Sequence, residues 1–235
     1  MIVGKGIEDI DISMPKDAYD MGKHTPTFSA YLTIIVRDSK GKVVNIHRQR
    51  SHSPTANFVA LLLPYNYYSQ INGSLTITNI GGGTCSYQPQ PNMSAYNIIY
   101  PNANVSYTPP GYLVMIQVGS GQQSNPFSAT KLAAPIANGS GTGQLLYGSV
   151  SIASNIVASG SSAYFQISQT YTNATSGTIT ITEVGIVVQV YTCSAAKSSP
   201  TNCGQVLVWY DVLSSAISVP AGGSVTIYYT FTVNP

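Results

Sequence analysis

Residues 225–233 read Val-Thr-Ile-Tyr-Tyr-Thr-Phe-Thr-Val, an apolar and polar alternation held for nine residues. A period of two puts successive side chains on opposite faces of an extended chain, so the stretch predicts a strand with one buried face. Thr178-Ile-Thr-Ile-Thr182 repeats the pattern. Working outward, β-branched and aromatic runs predict further strands at 145–157, 163–171, 177–191 and 205–213, separated by Gly, Ser and Asn turns. Upstream, TFSAYLTIIVR (27–37), KVVNIH (42–47) and YLVMIQV (112–118) read the same way, and Asp38-Ser-Lys-Gly41 between the first two marks a hairpin. Many short strands with punctuating turns predict an all-β fold, a β-sandwich of jelly-roll type.

One helix interrupts the pattern. Ser53-Pro54 before TANFVALLL gives Ser as N-cap and Pro at the first helical position, so a helix is expected near 54–63, ended by Pro64. Residues 1–26 alternate acids and lysines with Pro15 and Pro26, and read as an extended N-terminal arm that wraps a neighbour or stays disordered. Residues 27–235 then form the β-sandwich domain. Regular patterning begins near 144, the one place for a sub-boundary.

Charge is scarce and unevenly placed. Charged residues make up 8% of the chain, and fourteen of the eighteen lie in residues 1–50. Ordinary soluble proteins carry roughly 25%. Charge-rich disorder and coiled coils are thereby excluded. No apolar run approaches the roughly 18–20 residues of a membrane-spanning helix. The first thirty residues hold several acids and no apolar core, so no signal peptide is expected. Hydroxyls, amides and 17 tyrosines take the place of charge. Such a surface suits acidic surroundings or burial against other subunits, since interface cores are poor in charge and rich in Tyr.

Site chemistry is thin. Glu183 and Asp211 are the only carboxylates after residue 38. A glycosidase needs such a pair, but both sit in strand contexts, where they are expected to satisfy backbone or hydroxyl groups. The densest basic cluster is His47-Arg48-Gln49-Arg50-Ser51-His52. Arg48 and Arg50 are candidate contacts for phosphate or a partner, because an Arg fork matches phosphate oxygens. Nucleic acid is not an expected partner, for no broad basic face accompanies them. Ser51 with His52 lacks a third partner and a nucleophile elbow. Gly81-Gly82-Gly83 lacks the Lys-Ser/Thr ending of a phosphate loop and reads as a turn. Of three cysteines, Cys193 and Cys203 flank a polar loop between strong strands and form the disulfide candidate, leaving Cys85 free. Spacings typical of zinc sites are absent. Neither a metal nor a cofactor is expected. Residues 84–110, rich in Pro, Asn and Tyr, are the candidate contact loop, with Tyr87, Tyr96, Tyr100 and Tyr107 as its aromatics. Five Asn-X-Ser/Thr sequons lie mostly in predicted loops, as expected by chance in so much Asn and Ser.

Two segments carry a resemblance. One is residues 32–63, with Asp38-Ser-Lys-Gly41 and His52-Ser-Pro-Thr-Ala-Asn-Phe58. The other is Ile181-Thr-Glu-Val-Gly-Ile186, then Val206-Leu-Val-Trp-Tyr-Asp211 and Ile217-Ser-Val-Pro-Ala-Gly-Gly-Ser224. Together they resemble structural virion proteins (capsid, turret, tail-adaptor and fibre components) of tailed phages and thermophilic archaeal viruses. With the alternating strand that closes the second segment, the resemblance covers about 90 of the 235 residues. It implies a homo-oligomer that meets other virion structural proteins, resides in the virion, is made in the host cytoplasm, and is not an enzyme. The alternative expectation is a carbohydrate-binding, lectin-like adhesin whose tyrosines stack on host surface glycans. A surface-layer or pilus subunit is a third, disfavoured by the missing export signal.

Overall fold

The computed structural model describes residues 27–51, 53–62, 75–87, 114–152, 157–159, 162–192 and 201–234. They form an all-β fold. Its strands are β1 (Thr27–Arg37), β2 (Val43–Ser51), β3 (Leu75–Thr78), β4 (Thr84–Tyr87), β5 (Val114–Gly119), β6 (Leu146–Ile152), β7 (Val157–Ser159), β8 (Ser162–Thr172), β9 (Ile179–Thr192), β10 (Thr201–Val219) and β11 (Ser224–Asn234). One helix, α1 (Ala56–Leu62), lies between β2 and β3. The large sheet runs β2-β1-β11-β8-β6, with β7 also on β8; the second runs β10-β9-β5; β3 and β4 form a separate hairpin. Pairing is antiparallel throughout. The large sheet joins β1 and β2 to strands that follow residue 144.

The alternating stretch sits at the centre of the large sheet. β11 pairs β1 along eleven residues and β8 along ten, in unbroken register. Val225, Ile227, Tyr229 and Phe231 point into one core with Leu32, Ile34 and Val36 of β1. Ile116, Ile181, Val184, Ile186 and Val219 enter the same core from the second sheet. Two sheets therefore share one apolar interior, as in a sandwich. Trp209 closes one end, against Phe58 at 5.5 Å and Phe231 at 5.2 Å between ring centres.

Sheet edges need partners for their backbone groups. The β10 edge is covered by the segment after β2. The Thr55 amide donates to the Val208 carbonyl (3.0 Å) and the Tyr210 amide to the Ser53 carbonyl (3.0 Å). This corrects the helix start expected from Ser53-Pro54. Pro54 instead bridges Trp209, and Thr55 caps α1, accepting from the Phe58 amide at 3.4 Å. The β5 edge is closed mainly by side chains of the facing sheet. Buried Gln169 accepts from the Ile116 amide (2.8 Å) and donates to the Gly148 carbonyl (2.9 Å). The Tyr171 hydroxyl donates to the Ile116 carbonyl (2.6 Å). The Val118 carbonyl accepts from the Ile136 amide (2.9 Å), and the Val118 amide faces the Tyr147 hydroxyl at 3.5 Å.

Other sequence expectations shift in detail. The strand expected over 145–157 is two, β6 and β7. Gly81–Gly83 is the turn of the β3–β4 hairpin, with Gly82 at φ +84°. The loop expected from residue 84 therefore opens with a strand. β2 continues to Ser51 rather than ending near 47.

Gln169→Leu keeps the bulk but strands the Ile116 amide and the Gly148 carbonyl in the interior. It should lower unfolding stability by about 2–4 kcal/mol, read as a lower urea midpoint at unchanged slope. A midpoint equal to that of the parent protein would contradict the edge-closing role of this amide.

Candidate functional site

The two late carboxylates do not face each other. Glu183 pairs with Val212 and Asp211 with Val184, so they stand one register step apart on neighbouring strands. Successive residues alternate faces, and the contacts bear this out. Asp211 points between the sheets, accepting from Ser51 Oγ (2.5 Å) and the Tyr229 hydroxyl (2.9 Å). Trp209 Nε1 donates to Ser51 Oγ. Glu183 points to the outer face of the second sheet. There it accepts from the amides of Ala133 (2.9 Å), Ala134 (2.7 Å) and Gly121 (3.2 Å), and from the Tyr210 hydroxyl (2.6 Å). Both carboxylates are buried. A glycosidase pair must flank one bond from one space; these two are separated by their own sheet. Each satisfies backbone or hydroxyl donors, as their strand contexts predict.

Glu183 instead organises a loop. It holds residues 121–134, with Ala129 and Leu132, over Met115, Val187 and Leu207, a second small core on the outer face. Ile181 and Val184 both face the main core. The strand alternation slips between them, and Thr182 Oγ1 also reaches this loop, donating to the Gly121 carbonyl (2.8 Å). Gly119 makes room for the carboxylate: a Cβ there would lie 2.3 Å from Glu183 Oε1 and 2.7 Å from the Ala134 carbonyl.

Buried tyrosines hold their protons tightly. Burial pushes Tyr147 up to about 12, opposed in part by the Val118 amide. Burial, then the nearby Tyr147, raises Tyr171. Burial and the Glu183 carboxylate raise Tyr210; burial and Asp211 raise Tyr229.

The basic cluster lies on the edge strand β2. Arg48 and Arg50 project from the outer face of the large sheet, opposite Thr33 and Tyr31 in register, and are exposed. Val44 and Ile46 share that face and are 51% and 44% exposed. On the inner face, Gln49 clamps the second sheet, donating to the Val212 carbonyl (3.0 Å) and accepting from the Ser214 amide (2.9 Å). The His47 ring lies 2.9 Å from Gln49 Oε1 and 3.3 Å from Ser215 Oγ. Among the described residues, no strand pairs the far side of β2. The opposite edge strand of that sheet, β6, is interrupted by a bulge between Tyr147 and Val150. β2 holds regular register with β1 from Ser51 to Asn45.

Among the other candidates, Cys193, Tyr96, Tyr100 and Tyr107 lie outside the described residues. The backbones of Tyr87 and Cys203 lie in β4 and β10, and that of Cys85 pairs with Ile77. Sequence reasoning missed a different aromatic set. Tyr31, Tyr228 and Tyr164 all stand half-buried on the outer face of the large sheet, on β1, β11 and β8. Their alternation with Leu32, Ile227 and Phe165 is the signal that finds them. No helix among the described residues is long and apolar enough to cross a membrane, and none of their His, Cys, Asp and Glu side chains cluster in threes. Comparison with protein-family models, curated proteins and solved structures gave no match.

Glu183→Gln turns one acceptor oxygen into a donor among backbone amides. It should destabilise by about 2–4 kcal/mol in urea unfolding; an unchanged midpoint would show that the cradle contributes nothing. The raised phenols give a second test. The unfolded chain loses these protons near pH 10.0 while the fold keeps them, so their stabilisation is full below pH 10 and declines from there towards pH 12 and above. The melting temperature should drop steeply between pH 10 and 12. Absorbance at 295 nm should show a late class of tyrosines that ionises only as the chain unfolds. A single smooth titration of all tyrosines near pH 10 with the fold intact would contradict the burial described.

Proposed function

We propose that this chain is a structural subunit of a virus particle, working by assembly with copies of itself and with other virion proteins, and not by catalysis. The observation that carries the reading is the β2 edge. The second sheet is closed on both sides by internal partners, whereas among the described residues β2 has no strand on its far side, keeps regular register from Asn45 to Ser51, and has exposed Val44 and Ile46 beside it. A flat edge with apolar neighbours is a template for pairing with another chain. The scarcity of charge and the abundance of Tyr fit surfaces that become buried between subunits. The viral setting rests on the sequence resemblance and makes the virion the place of action.

A second reading, carbohydrate binding for host attachment, is favoured by the outer-face tyrosines. Tyr228 and Tyr31 sit on neighbouring strands two register steps apart, roughly 7 Å along the strands and 5 Å across them. Aromatic faces at such spacing suit stacking on successive sugar rings.

Light scattering on the purified protein at neutral and acidic pH separates the two. The assembly reading expects a defined multiple of 24.9 kDa. A monomer at both pH values overturns it. A monomer that binds glycans on an array, and loses that binding on Tyr228→Ala, establishes the second reading instead.

A further inference from the structure

We infer that the β2 edge, whose far side no described strand pairs, is occupied by the acidic arm of a second copy of this chain, residues 9–12 adding as a strand beside His47–Ser51. This deepens the assembly reading and rests on it. Three observations converge on this occupant rather than on any apolar partner.

The first is charge. Residues 37–50 carry Arg37, Lys40, Lys42, Arg48 and Arg50 against the single acid Asp38. The arm, residues 1–26, carries Glu8, Asp9, Asp11, Asp17 and Asp20 against three lysines. The rest of the chain holds four charges in 195 residues, so acid and base are concentrated in these two neighbouring segments. Like charge on a β2 beside β2 would place arginines against arginines; the arm places acids there.

The second is period. Asp9-Ile10-Asp11-Ile12 puts Asp9 and Asp11 on one side of an extended chain and Ile10 and Ile12 on the other, a pattern that Ile7 and Glu8 before it do not share. On β2, Arg48 and Arg50 take the outer face, while His47, Gln49 and Ser51 take the inner one. Set beside β2 with Asp9 and Asp11 against the arginines, the arm turns Ile10 and Ile12 to the inner side, towards the second sheet that Gln49 already reaches. A slip of one residue would reverse both matches, so the pattern selects its own register. Either strand direction keeps it. The backbone ladder and the burial of isoleucine supply the attraction. The exposed charge pairs set the register and exclude wrong partners.

The third is place. The arm joins the fold at Thr27, and in the β1–β2 pairing Ala30 stands opposite Ser51. The arm thus leaves from the same end of the sheet at which β2 finishes, beside half-exposed Phe28. An arm of 26 residues spans up to roughly 85 Å when extended, enough to cross from one subunit to the edge of the next.

The test is complementation by charge reversal in the full chain. One variant carries Asp9→Lys with Asp11→Lys, a second Arg48→Glu with Arg50→Glu, and a third all four changes. Near-ultraviolet circular dichroism and the melting temperature confirm that each keeps the fold. Each two-site variant alone should fall from the assembled mass to 24.9 kDa. An equimolar mixture of the two should recover an assembled mass, because each then meets its reversed partner. If the two-site variants assemble like the parent protein, the arm does not dock at β2, and the assembly reading survives without it. If the mixture stays monomeric while the four-site variant keeps the parent mass, the arm docks on its own subunit and the exchange between copies is wrong. A parent protein that is itself monomeric removes the assembly reading and this inference together. A synthetic peptide of residues 5–14, titrated into the Asp9→Lys, Asp11→Lys variant with fluorescence anisotropy, gives an independent reading. Saturable binding lost on adding Arg50→Glu supports docking at this edge; binding that ignores Arg50→Glu counts against it.

Discussion

The hydrogen bonds that Gln169 and Tyr171 make to Ile116 hold the architecture in place. Among the described residues β5 has one neighbouring strand, β9, and the other side of its backbone is met by side chains of the facing sheet. An unpaired buried amide or carbonyl costs as much as a lost hydrogen bond or more. The side chains of β8 supply the missing partners across the sandwich, which fixes the second sheet against the first. With that contact in place, β9 and β10 can run long, and their two carboxylates can tie down what lies on either face. Asp211 binds Ser51 at the end of β2 from inside, and Glu183 binds the 121–134 loop from outside.

The same requirement explains where the molecule is closed and where it is open. Ser53–Thr55 and α1 cover β10, side chains and residues 134–136 cover β5, and a bulge breaks β6. β2 has a register shift only near its start, between Val43 and Asn45, and no described strand pairs its far side. Natural sheets blunt an edge with charge, and Arg48 and Arg50 do so here against random pairing. In the proposed docking the same two charges select an acidic strand. An edge that repels most chains and accepts one is what ordered assembly requires. In this account the charge-poor body is the rigid unit, and the charged first fifty residues carry the instructions for joining units.

The fold was legible wherever one face of a strand is buried, because burial writes a period of two into the sequence. β1, β8, β9 and β11 are found close to their observed limits for that reason. β2 was cut short because its outer side, Val44, Ile46, Arg48 and Arg50, mixes apolar and charged residues on one exposed face. The β3–β4 hairpin hid behind three glycines, which mark a turn without saying that a strand follows. Pro54 reads locally as a helix start, whereas its place is set by β10, more than 150 residues away. The roles of Glu183 and Asp211 could be anticipated in kind from their strand contexts. Their separation by a sheet could not, since it depends on the pairing of β9 with β10. Gln169 gave no signal at all: a polar residue between Ile167 and Tyr171 breaks the apolar pattern, and only the facing β5 edge explains it.

Amide hydrogen exchange, residue by residue, tests the contrast between closed and open edges most directly. It would compare the assembled parent protein with the Asp9→Lys, Asp11→Lys variant. The account predicts that the Ile116 amide exchanges only with global unfolding in both, despite lying on an edge strand. The β2 amides that point away from β1 should exchange fast in the variant and become protected in the assembly. Equal, strong protection of those β2 amides in both proteins, or rapid exchange at Ile116, would contradict it.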